Sequence, residues 1–163
     1  MFATTHIALP VIAAQVLNLR FVVRSGRQLF NRWHFTAIGI CGFLPDIVNP
    51  HLDLWARYSS WSHTAWFFIG FLFIALASTR FLPKQHRLTM HLCWFAVLLH
   101  ILCDLISGGV NLLPPYSAIV GDYWVVPELW LYTDLFSIIT LYTLSVITRN
   151  RLKPQNYNKD VTQ

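Results

Sequence analysis

Seven histidines and seven acids are scattered over 163 residues, and a few of them sit where they could work together. His100 and Asp104 are four residues apart. In a helix that spacing places both side chains on one face, about one turn apart. They close an apolar run, where a lone carboxylate is costly unless something pairs with it. Ser107-Gly108-Gly109 then stops the helix. Imidazole and carboxylate converging at a helix end suit a divalent metal. His6, Asp46 and His63 stand at the ends of three other apolar runs and are candidates for the same ligand set. Asp53, in the loop after the second run, and Asp134, inside the fifth, are acids available for proton transfer.

The elements that must bring these residues together read as membrane helices. The chain is 55% hydrophobic and 12% charged, with mean hydropathy +0.49; a soluble domain is about 25% charged. Apolar runs cover residues 5–23, 35–44, 63–79, 88–107 and 131–148. A spanning helix wants about 20 apolar residues. The first run carries His6, Gln15 and Asn18, so it is not a clean lipid-facing span, and the second is short. The expectation is an all-α, polytopic helical membrane protein of about five helices. Residues 1–149 form one membrane domain, and residues 150–163 form a polar, disordered tail.

Net charge is +5 and is clustered. Arg20, Arg24, Arg27 and Arg32 form one group, Arg80, Lys84 and Arg87 a second, and the tail a third. Bases flanking apolar runs read as cytoplasmic loops; no soluble fold presents them to nucleic acid. Five crossings then put the N-terminus outside and the C-terminus in the cytoplasm of a bacterial inner membrane. His6, Asp46, His63, His100 and Asp104 all reach the outer end of their helices. Trp55, Trp61, Trp66, Trp124 and Trp130 fall at the same level, as an interfacial aromatic belt would. Arg57, in the outer loop, reads as a solvated charge or a headgroup anchor. Cys41, Cys93 and Cys103 read as buried free thiols.

Four pieces of sequence resemble the membrane-bound, LexA-regulated metal-dependent hydrolase family (YdjM-like). They are Thr5-His6, Leu44-Pro45-Asp46, Ser62-His63-Thr64 and the stretch from His100 through Asp104-Leu105-Ile106-Ser107-Gly108-Gly109 to Pro114. The resemblance covers residues 5–115. It implies a helical membrane protein with a divalent-metal site, and a hydrolase. The family's loop after the second helix usually reads PDxDHP; here Val48 and Asn49 replace its second Asp and its His. A basic residue and Gly usually precede the Thr-His; here Ser60 and Trp61 stand there.

The leading expectation is therefore a metal-dependent hydrolase. Asp46, His63, His100 and Asp104, with His6, would hold zinc, or manganese or iron. Asp53 or Asp134 would act as base on a lipid-like ester or phosphoester. Val48 and Asn49 favour a second reading, in which the metal only staples helices. A transporter is disfavoured, because the polar residues gather at one end of the membrane instead of lining its depth.

Overall fold

The computed structural model describes residues 3–50, 54–116, 118–121, 123 and 127–160. Its elements are α1 (Ala3–Ser25), α2 (Arg32–Gly42), α3 (Leu44–Val48), α4 (Leu54–Tyr58), a 3-10 turn (Trp61–His63), α5 (Ala65–Phe81), α6 (Lys84–Ile106), β1 (Val110–Asn111), β2 (Ile119–Val120) and α7 (Pro127–Asp160). The all-α class holds; the strands form only a short antiparallel clasp.

Helices α1, α6 and α7 are long and apolar enough to cross a bilayer, while α5 is a shorter apolar helix of 17 residues. The expectation of five spans is corrected at α2. Its 11 residues cover about 16 Å, half of a hydrocarbon core of about 30 Å. The chain then bends at Phe43 and restarts as α3, with Pro45 in its first turn, where its missing N–H costs nothing. The segment between α2 and α5 is thus not a plain loop but carries two short helices. Beyond Arg149 the backbone continues as helix to Asp160, into the tail that the sequence reading assigned to disorder.

The helices start and stop where local chemistry dictates. Asn31 caps α2: its side chain accepts from Trp33 and His34, and the His34 ring accepts back from the Asn31 N–H. Thr64 caps α5 by accepting from the Phe67 N–H. Gly108 and Gly109 end α6 with φ of 135° and 79°, a region that other residues rarely adopt.

Helix α1 packs against α2, α6 and α7, and α6 against α1, α2 and α5. Two apolar clusters fill the interior, one around Ile38, Ala14 and Ala96, the other around Val97, Ile101 and Val110. The polar residues of the first run face these partners. Gln15 donates to Ser145 on α7. Asn18 accepts from the Leu29 and Phe30 N–H groups and so folds the connector back onto α1. The three cysteines are free thiols, two of them buried.

The packing brings the N-terminal ends of α1, α5 and α7 together with the C-terminal ends of α2 and α6. Arg20, Arg24, Arg27, Arg80, Lys84 and Arg87 are exposed at the opposite end.

Candidate metal centre

Four side chains converge where these helix ends meet. Asp46 comes from α3, His63 from the turn before α5, and His100 and Asp104 from the last turns of α6. Their ligand atoms all lie within 4.8 Å of one another. His63 Nε2 is 3.2 Å from His100 Nε2, 3.2 Å from Asp46 Oδ1 and 3.2 Å from Asp104 Oδ2. His100 Nε2 is 3.2 Å from Asp104 Oδ2 and 3.6 Å from Asp46 Oδ1. A tetrahedral ion with bonds of about 2.0–2.1 Å separates its ligand atoms by about 3.3 Å, and five of the cluster's six edges lie close to that figure.

The proton inventory points the same way. His100 Nδ1 is 2.7 Å from the Gly42 carbonyl, which can only accept; Nδ1 therefore carries the hydrogen, and a neutral His100 offers a lone pair at Nε2. Around His63 the chain of contacts starts at another carbonyl. Ser62 Oγ donates to Pro45 O at 2.7 Å. Ser60 Oγ, 2.9 Å from Ser62 Oγ, must then donate to it. Ser60 can only accept from His63 Nδ1, at 2.9 Å. His63 also presents a lone pair at Nε2. Two imidazole lone pairs and two carboxylates thus face one another, almost all of them buried. Such a pocket of acceptors demands positive charge, as protons or as a cation. Asp104 Oδ2 is buried and faces the two Nε2 lone pairs with no hydrogen-bond donor, a vacancy in bonding that a metal would fill. The donor set of two nitrogens and two oxygens, each imidazole steadied through its other nitrogen, fits zinc, manganese or iron.

At Gly42 the backbones of α1 and α2 come close together. A Cβ there would collide with the His6 carbonyl oxygen and lie 2.8 Å from Pro10 Cγ. Only glycine lets α2 bring its last carbonyl to His100.

His6 stands beside the four, not among them. Its Nε2 is 3.2 Å from Asp104 Oδ1, the other oxygen of that carboxylate, and its ring lies 4.0 Å from that of His100. A carboxylate accepts, so His6 Nε2 carries the hydrogen and has no lone pair to give there. Arg57 Nη2 is 3.4 Å from the same oxygen. The expectation that Arg57 is a solvated charge is corrected: its side chain is 8% exposed. The Tyr58 hydroxyl donates to Gly108 O and pins α4 over the end of α6, which carries Arg57 inward.

Asp46 is the most open of the four, at 19% side-chain exposure. Burial alone would push its carboxyl up, but the imidazoles that face it bring it below the usual carboxylate range.

Asp134 lies away from the cluster. It accepts from the Thr5 N–H at 3.0 Å and from the Thr5 hydroxyl, one residue before His6. Asp53, with His51, lies outside the described residues. Val48 is exposed, where the resemblance would have placed a second acid.

Sequence reasoning missed Gly42, Ser60 and the inward Arg57. The pattern Ser60-Trp61-Ser62-His63 was the only signal for the hydroxyl chain. No family model, curated protein or solved structure matches the chain.

Proposed function

We propose that this chain is a membrane-embedded, metal-dependent hydrolase of esters or phosphoesters, akin to the YdjM-like family whose motifs it resembles. The observation that carries the reading is the set of four converging acceptors, Asp46, His63, His100 and Asp104. When bound, a divalent ion would lower the pKa of a water towards neutrality and polarise the oxygen of the scissile ester. Zinc is the leading choice, with manganese or iron as substitutes.

The chain's own residues do the rest. Gly42 and the Ser60–Ser62 pair hold both imidazoles with Nε2 inward. His6 fixes the second oxygen of Asp104. Arg57 puts a guanidinium near that oxygen, suited to a phosphoryl group. Asp46 marks the accessible side. Of the two acids read as general bases, Asp134 is engaged by Thr5, which favours Asp53. The positive clusters favour a topology with this end outside and the basic end in the cytoplasm, in a bacterial inner membrane.

The burial of three ligands favours a second reading, a closed structural metal that staples α3, α5 and α6. Elemental mass spectrometry on protein purified without chelator tests both. One equivalent of metal in wild type, lost in Asp104→Ala and His63→Ala, is expected. Hydrolysis of p-nitrophenyl phosphate by that preparation separates enzyme from staple. No metal after resupply would end both readings.

A further inference from the structure

We infer that a groove between α1, α2 and α3 holds the acyl chain of a lipid phosphoester whose phosphate lies at the metal centre; this names a substrate class and rests on the hydrolase reading. The groove has a volume of about 270 Å³. Ile7 and Val11 form one wall, Phe35 and Ile40 the other. Gly39 forms the floor, where a Cβ would press to 3.2 Å from Ile7 and 3.3 Å from Val11. From Phe35 to Phe43 it follows about 12 Å of helix. Thr36 is its sole polar lining residue.

Its head end decides the occupant. Phe43 and Ile47 close the groove, and they bracket Asp46, the most open of the four ligands. The groove is open along the flank where Ile7, Ile40 and Ile47 are exposed. The head end has a cation site and Arg57 close by. An anionic head on an apolar tail complements both ends at once. The other apolar groove of similar size, between α1 and α7, is lined by Thr5, Leu9 and Tyr132; the acid there is Asp134, already engaged by Thr5. The grooves around His34 and His86 lie at the basic end. Among the described grooves, only the α1–α2 groove is lined by a residue next in sequence to one of the four candidate ligands, Ile47 beside Asp46. Cleavage would break a P–O bond. The hydroxide from water goes to phosphorus, its proton goes to the leaving diacylglycerol, and phosphate is released.

The test uses the full, metal-loaded chain in nanodiscs with dioleoyl phosphatidic acid, and p-nitrophenyl phosphate as the tailless probe. Ile40→Trp fills the groove from an exposed position, and Ile7→Trp repeats the test from the opposite wall. We expect at least about a tenfold loss of lipid retention by native mass spectrometry, about 1.4 kcal/mol of lost contact between the acyl chain and the groove. Lipid hydrolysis should fall in parallel, with p-nitrophenyl phosphate turnover unchanged. Unchanged lipid retention and hydrolysis in both metal-replete variants would overturn the groove and leave the hydrolase standing. Loss of retention in both variants, with wild type cleaving neither ester, would uphold the groove as a lipid site and sink the hydrolase instead.

Discussion

His6 Nε2 donates to Asp104 Oδ1 across 3.2 Å, while Asp104 Oδ2 faces His63 and His100. One oxygen is held so that the other can bind. Loss of such a support typically costs 10–100-fold in metal affinity. His6→Ala should therefore still bind one equivalent of metal, but about 10–100-fold more weakly in a chelator competition. Complete loss of stoichiometry would make His6 a ligand.

Arg57 compensates the buried charge of Asp104, a duty that a bound metal would share. Breaking a buried ion pair costs about 3–5 kcal/mol. Arg57→Met should lower the melting temperature strongly in chelator-treated protein and much less when metal is saturating. Equal drops in both states would mean that Arg57 acts elsewhere.

Asp134 satisfies the Thr5 N–H at the start of α1. Asp134→Ala leaves that donor buried and unpaired, at a cost of about 1–3 kcal/mol, or about 2–12 °C for a chain of this length. Metal stoichiometry should persist. A variant of unchanged melting temperature that has lost all turnover would restore Asp134 to the chemistry.

Gly42→Ala should be worse than its chemistry suggests. The added methyl strikes the His6 backbone and displaces the carbonyl that orients His100. Overpacking of this kind costs about 1–3 kcal/mol. Here it should also weaken metal binding, measurable by titration of the metal-free protein.

His34 links α2 to α6 only when neutral: its Nδ1 accepts from the Asn31 N–H, and its Nε2 then donates to His86 Nδ1 at 3.2 Å. Burial and the neighbouring His86 hold its pKa below the ordinary 6.5. A lowered folded value means that the unfolded chain binds the proton first. The contribution is whole above about pH 6.5 and is lost as the pH falls through the folded value. Melts of metal-saturated protein should show this slope, and His34→Gln should flatten it.

The ligand set was legible because each member is a polar residue at the end of an apolar run, and helix ends of alternating direction collect at two levels. His100 and Asp104 carried their own register. What separates a ligand from its neighbour was not legible. His6 differs from His63 by which ring nitrogen is committed, and that depends on a carboxylate 98 positions away. Asp134 looked like an embedded acid because its partner Thr5 is 129 residues distant. Arg57 looked solvated because nothing local announces that Tyr58 ties its helix to Gly108. Hydropathy counted the second run as a helix but could not see the bend at Phe43 that makes α2 half a span.

The ligands also set a condition on biogenesis. Asp46 and His63 are 17 positions apart, and His63 and His100 are 37 apart. An ion joining them closes two long loops. By the chain-entropy reasoning applied to disulfides, those closures would remove about 3 and about 4 kcal/mol of freedom from the unfolded chain. A partly inserted protein lacks α6, and with it half of the ligands. Metal retention would therefore be a checkpoint that a chain passes only after its fourth apolar segment has docked, and a pulse of metal during synthesis would date that event.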